Sequence, residues 1–229
     1  MPGTLFVVST PIGNLADLSP RAVETLTTVA AIACEDTRHS GRLLAHFGIK
    51  NQLVSLHEHN EVRRVPELIE RLERGEDLAL VSDAGTPLVS DPGFLLVREA
   101  AALGLTVAAV PGPSAVMAAL AISGLPPYPM TFAGFAPRKS GKRRTFLADL
   151  AALEHTCLLF ESPRRILATL AEAAEQLGDR PVVLCREMTK LHEEVLRGTA
   201  EEIREQLASR AAIKGEIVLV LGPAPKAKA

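Results

Sequence analysis

Aromatic residues are scarce in this chain of 229 residues: they make up 3% of positions, with one Tyr and no Trp. An aromatic-rich surface that stacks many bases is therefore excluded, and a polyanionic partner would have to be held largely through phosphate contacts. Charge of one sign is not in excess either. The formal net charge is −2, so such contacts require a local basic patch on a slightly acidic protein. Cysteine is sparse. Cys34, Cys157 and Cys185 are odd in number, lie in apolar runs and form no CxxC, which excludes a disulfide framework and a Cys-rich zinc site. Long hydrophobic runs are missing: nothing approaches the roughly 20 residues of a membrane span. The opening "MPGTLFVVSTPIGN" has neither the basic region nor the long apolar core of a secretory leader. A soluble, cytoplasmic protein with no membrane partner is expected.

Familiar nucleotide and hydrolase motifs are absent too. No GxGxxG follows a strand pattern, and no GxSxG or HExxH occurs. "GFAPRKSGKR" resembles a phosphate loop only superficially, because six residues separate Gly134 from Gly141 and Arg143 stands where a Ser or Thr would hold magnesium. His57 and His59 of "HEHN" fall on one side of an extended chain, yet no third ligand has a diagnostic spacing, so no metal is expected.

What is present is a globular composition, 47% hydrophobic and 23% charged. Short runs rich in Val, Leu and Ile at 4–9, 30–35, 52–56, 77–82 and 106–111 alternate with helical patterns. One helix opens with Ser19 as N-cap and Pro20 in its first turn. Another spans "NEVRRVPELIERLERG", closed by Gly75, with Pro66 predicting a kink or a separate first turn. Such alternation predicts a mainly parallel sheet covered on both faces. The segment "SGLPPYPMTF" (123–132) then reads as a linker. Five further strand candidates with only three helices, two of the strands following each other directly, predict a mixed sheet. The fold class is α/β with two domains, 1–122 and 123–229, and a tail "PAPKAKA" expected to fray.

Ligands of open parallel sheets bind beyond the carboxyl ends of the strands. Three loops, "TPIGN", "SDAGTPLVSDPG" and "PGPSA", sit at such ends. In the second of them Asp83 can accept hydrogen bonds, Gly85 lets backbone approach closely, and Pro87 and Pro92 restrict the loop before it binds anything. "CEDTR" and "HEHNE" follow the second and third strands. They bring Glu35, Asp36, Arg38, His57 and Glu58 toward the same end.

In this order, "TPIGNLADLSPRA", "CEDTRHSGRLL", "HEHNE", "VSDAGTPLVSDPG", "VPGPSA" and "FAGFAPRK" resemble the ribosomal branch of the tetrapyrrole methylase superfamily, over nearly the whole chain. The resemblance implies a homodimer that uses S-adenosyl-L-methionine, bound in an interdomain cleft. It implies 2′-O-methylation of a cytidine ribose in the decoding centre of 16S rRNA, on the 30S subunit. Cofactor contacts are implied for Asp83, Gly85, Val89, Ser114 and Ala115, with Phe160, Met188 and Glu216 closing over the adenosine; Pro11 and Thr86 of the strand-end loops are counted with them. Asp36 and Glu58 are the candidates to accept or orient the proton of the ribose hydroxyl, with Arg38 as a phosphate contact and Lys190 entering from the second domain. Arg138, Lys139, Lys142, Arg143 and Arg144 of "RKSGKRR" form the candidate RNA contact. Porphyrin-methylating relatives open with a glycine-rich loop where this chain has "TPIGNLAD", which disfavours a tetrapyrrole precursor. That acceptor, a diphthamide-type protein acceptor and a non-enzymatic RNA-binding module stay open as alternatives.

Overall fold

The computed structural model describes residues 1–223, so all of the expected frayed tail except Pro223 lies outside the described residues. The chain divides into two compact units, Met1–Ser114 and Ala115–Ala229. In the first, the β-branched and Leu-rich runs form five strands: β1 (Thr4–Val8), β2 (Ala31–Cys34), β3 (Leu53–Ser55), β4 (Leu78–Leu80) and β5 (Thr106–Val110). They pair in the order β3-β2-β4-β1-β5, every pair parallel. Helices α1 (Pro20–Thr28), α2 (Thr37–His46), α3 (Glu61–Glu73) and α4 (Phe94–Ala102) make the crossovers.

Two apolar clusters cover the sheet. Leu5, Leu78, Leu80, Leu68, Leu72 and Leu96 belong to one; Val8, Leu26, Ile32 and Val81 belong to the other. Each fully buried Leu contributes roughly 1.5–3 kcal/mol, which is why β2 and β4 read as unbroken apolar runs with every residue buried. The Ser19 side chain accepts from the Ala22 amide, 3.1 Å, and Pro20 follows it at the start of α1. Pro66 neither ends nor splits α3: the helix runs through it, and the expected break is absent. Pro66 lies in the second turn of the helix, so its missing amide costs only the bond to the Val62 carbonyl, at an exposed position.

The chain order places β1 and β4 side by side in the middle of the sheet, with later strands continuing on both flanks. Their carboxyl ends form a topological switch point.

The second unit starts at α5 (Ala115–Ser123), ahead of the proline-rich segment, because that helix packs on β10, β7 and β8. Its sheet contains β6 (Met130–Phe135), β7 (Thr156–Glu161), β8 (Val182–Arg186), β9 (Glu194–Gly198) and β10 (Ile217–Leu221). The order is β6-β7-β10-β8-β9, with β6 and β7 parallel and the other pairs antiparallel. β6 begins inside the segment read as a linker. Helices α6 (Ser140–Ala151), α7 (Ile166–Leu177) and α8 (Ala200–Ala208) complete the unit; α8 opens with a full capping box between Thr199 and Glu202. Among the described residues no helix is long and apolar enough to cross a membrane.

Candidate active site

The loops after β1, β4 and β5 are bonded to one another. Thr10 and Gly85 exchange backbone hydrogen bonds, 2.9 and 3.1 Å. The Thr10 hydroxyl donates to the Ser82 carbonyl at 3.2 Å. Thr86 Oγ1 donates its single proton to the Pro113 carbonyl, 3.1 Å, and lies 3.0 Å from Ser9 Oγ, so the Ser9 hydroxyl is the donor in that pair. Gly85 has φ +82, and a Cβ there would stand 3.3 Å from Ile12 Cγ2. Only glycine takes that conformation without strain while letting the first loop pass so close.

Strain is concentrated in the rest of the same loop. Leu88 and Ser90 have φ of 74° and 69°, each a cost of about 1–3 kcal/mol for a non-glycine residue. The end of the loop is clamped from α3. Gly93 supplies no side-chain cap to α4; instead the buried Glu61 carboxylate accepts the Gly93 amide at 3.1 Å and the Leu95 amide at 2.9 Å. The carboxylate satisfies two amides at the helix start and complements its dipole.

Acidic groups gather around this frame. Asp83 Oδ1 accepts the Asp36 amide at 3.3 Å, tying the β4 loop to the β2 end. Burial raises the Asp91 pKa to about 6, with the charges of Glu35 and Asp83 adding to it and a hydrogen bond to Ser82 opposing it. Glu35 is also raised, by burial and then by the charges of Asp83 and Glu58. Among the described residues, Glu35, Glu58, Asp83 and Asp91 have no Lys or Arg partner in an ion pair. The group thus concentrates carboxylates without a Lys or Arg partner at the strand ends.

That concentration has a stability consequence. An Asp near 3.9 in the unfolded chain and near 6 in the fold costs nothing below the lower value. It costs its full amount above the higher one. Asp91→Asn is therefore expected to melt like the wild type near pH 3.5 and to gain melting temperature progressively up to about pH 7, in ligand-free calorimetry. A pH-independent difference would place Asp91 outside the acidic group.

The other sequence candidates are disposed as follows. Pro11, Asp83, Gly85, Thr86 and Val89 lie on the bonded loops, with Ser114 just beyond Pro113 and Ala115 at the start of α5. Asp36 caps α2, accepting the Arg38 amide at 2.8 Å, and its carboxylate also pairs with the Arg38 guanidinium at 2.8 Å. Those bonds from Arg38 hold the Asp36 pKa well below the usual carboxylate range, which disfavours proton acceptance by Asp36 and suits an orienting role. Arg38 keeps most of its side chain exposed. Glu58 is exposed in the turn that Asn60 fixes by accepting the His57 amide, 2.9 Å.

In the second unit, Phe160 packs edge-on against Phe132 and Phe135 at 4.9 and 5.2 Å, and Met188 is buried. Lys190 Nζ donates to Glu187 at 2.8 Å and to Glu216 at 3.0 Å. Burial opposes its charge, but the two carboxylates outweigh that and raise its pKa. Lys190 is thus a fixed cation rather than a neutral base. Arg138, Lys139, Lys142 and Arg144 are exposed, as a phosphate contact requires. Arg143 is not: its side chain is 6% exposed and forks onto Glu172, Nε and Nη2 donating at 2.7 and 2.8 Å. It belongs to the core of α6 and α7, and the RNA-contact role expected of it is corrected on that ground. Glu61 and Asp91 were not picked out in the sequence. The second Ser-Asp pair of the β4 loop signalled Asp91, but nothing local signals Glu61, whose partners are over thirty residues away.

Residues 4–204 match the sequence model of the Tetrapyrrole (Corrin/Porphyrin) Methylases. The chain belongs to that family. Within it, a protein from Xylella fastidiosa named "Ribosomal RNA small subunit methyltransferase I" is 52% identical over 222 residues, covering 96% of this chain and 81% of its own length. Two solved structures share the fold at low identity. A diphthine synthase superposes with a TM-score of 0.71 at 17% identity, covering 96% of this chain and 89% of its own. A uroporphyrin-III-C-methyltransferase from Thermus thermophilus gives 0.63 at 22%, covering 96% and 94%. Proteins of this one fold thus carry different names, and the fold alone does not select a function among them.

Proposed function

We propose that this tetrapyrrole methylase transfers a methyl group from S-adenosylmethionine to the 2′-hydroxyl of a cytidine in the decoding centre of 16S rRNA, acting as a cytoplasmic homodimer on the 30S subunit. The observation that carries the donor half is the acidic group at the switch point, which has no Lys or Arg partner among the described residues. S-Adenosylmethionine is cationic at both sulfur and ammonium, and such a ligand supplies the missing positive charge. Its sulfonium carries the methyl group as an electrophile. Asp83 and Thr86 offer polar atoms, Gly85 offers close backbone, and Pro11, Val89, Ser114 and Ala115 line the neighbouring loops.

The chain's own task is to align a ribose hydroxyl and take its proton as the new bond forms. A general base needs a proton affinity well above that of a salt-bridged carboxylate. Glu35, raised by burial and by the charges of Asp83 and Glu58, and Asp91, raised by burial and by the charge of Glu35, meet that need, whereas Asp36 does not. Arg38 and the exposed cations Arg138, Lys139, Lys142 and Arg144 supply phosphate contacts.

The acceptor half is supported by the name and 52% identity of the Xylella relative. Purified protein offered labelled S-adenosylmethionine with 30S subunits, uroporphyrinogen or a diphthamide-pathway protein should label the RNA of the first alone. Label in either of the others, with none in RNA, would replace this reading.

A further inference from the structure

β6 and β7 run parallel, so the loops that leave them lie at one end of the second sheet. The first of these loops, with the first turn of α6, carries Arg138, Lys139 and Lys142, all exposed and without an ion pair among the described residues; Arg144 faces Glu175 at 3.7 Å. The second loop, Ser162 to Arg165, adds another cation. Arg164 is exposed and has no ion pair among the described residues, whereas its neighbour Arg165 turns inward.

Two buried ion pairs hold these loops. The Arg165 guanidinium crosses from the second loop to the first, donating through Nη1 to the Ala136 carbonyl at 3.0 Å, while its Nη2 donates to the fully buried Glu161 carboxylate at 2.6 Å. Glu161 is saturated by two further bonds, from the Ser162 amide at 2.6 Å and the Thr169 hydroxyl at 2.5 Å. Arg143 does the same for the end of the first loop: its Nη1 donates to the Arg138 carbonyl at 3.4 Å, and the rest of its fork holds the buried Glu172. The carboxylates of Glu161 and Glu172 are thus taken by Arg165 and Arg143. Neither is left to offset the exposed cations.

A loop tied at Ala136 and again at Arg138 keeps its cations in place before anything binds, so less ordering entropy is lost when it does. The Arg165 bond brings the residue beside Arg164 within hydrogen-bond reach of that loop. Guanidinium groups present paired donors that match phosphate oxygens, and several of them across two loops suit an extended polyanion. We infer that Arg164 is a further phosphate contact for the RNA acceptor, holding the sugar-phosphate backbone together with Arg138, Lys139 and Lys142 on one surface built from the loops after β6 and β7. The inference rests on the RNA reading above.

The test is a salt titration of the full chain against 30S subunits whose rRNA is unmethylated. Arg164→Ala and Arg164→Gln should each flatten the log–log slope by roughly 1, so that the affinity lost between about 50 and 200 mM salt shrinks about threefold. Arg164→Lys should keep the wild-type slope, because the charge stays. Lys50→Ala, which removes an exposed cation of the first unit, should keep it too. Melting temperature and S-adenosylmethionine affinity should not move in any of them. Wild-type protein that fails to bind 30S subunits would sink the acceptor reading and this inference with it. Wild-type binding with an unchanged slope in Arg164→Ala would overturn the inference alone, and so would an equal flattening in Lys50→Ala, the mark of a general charge effect.

Discussion

Asp83→Ala is expected to weaken S-adenosylmethionine binding by about 10- to 100-fold, the loss of one or two hydrogen bonds to a charged ligand. Stability should change little. The variant forfeits the 3.3 Å bond from the Asp36 amide, worth about 1 kcal/mol, but it also removes a charge that raises both Glu35 and Asp91, and the two effects oppose each other. Titration calorimetry on the folded variant decides the matter. Undiminished affinity would remove Asp83 from the cofactor's surroundings and leave the β4 loop as a rigid turn.

Arg143 separates stability from RNA binding within one basic stretch. Arg143→Ala leaves Glu172, 8% exposed at its side chain, as an unpaired buried carboxylate that keeps only the Ser140 hydroxyl, 2.7 Å. Breaking such a pair from one side costs about 3–5 kcal/mol, which for a unit of this size lowers the melting temperature steeply. Replacing both partners together, Arg143→Met with Glu172→Leu, should restore most of the loss, because no buried charge is then left alone. By contrast, the triple change of Arg138, Lys139 and Lys142 to Ala should leave stability within about 0.5 kcal/mol. It should flatten the salt dependence of 30S binding by a log–log slope of roughly 1 per lost phosphate contact. Denaturant melts and salt titrations on the same preparations check both halves. Equal stability of Arg143→Ala and wild type would contradict the buried pair, and an unchanged salt slope in the triple variant would make the loop a solvated one.

The parallel sheet was legible because burial on both faces leaves no polar alternation: β2 and β4 could hardly be anything else. The strand-end loops were legible for a related reason, since Gly85 and the flanking prolines answer to backbone demands that are local. What could not be read was pairing at a distance. Within "RKSGKRR" the sequence offers five similar cations, and only the helix register of α6 against α7 turns Arg143 inward to Glu172. Asp36 and Asp91 carry the same carboxyl group, yet the bonds from neighbouring Arg38 lower the pKa of one while burial beside Glu35 raises that of the other. Proton affinity follows from the three-dimensional surroundings, so the difference between these two acids is not legible in the sequence. At Pro66 the separate first turn that the proline suggested does not form, a local signal overridden by the packing of Val65, Leu68, Ile69 and Leu72 in α3.

The product of the reaction tests the proposed methyl transfer most directly. Small-subunit rRNA from 30S particles, treated with the purified protein and methyl-labelled S-adenosylmethionine, can be digested with nuclease and read by mass spectrometry. The expected result is one labelled fragment from the decoding centre, carrying its methyl group on a cytidine ribose oxygen. A methyl group on a base, or 16S rRNA that stays unlabelled while the protein binds S-adenosylmethionine, would contradict it.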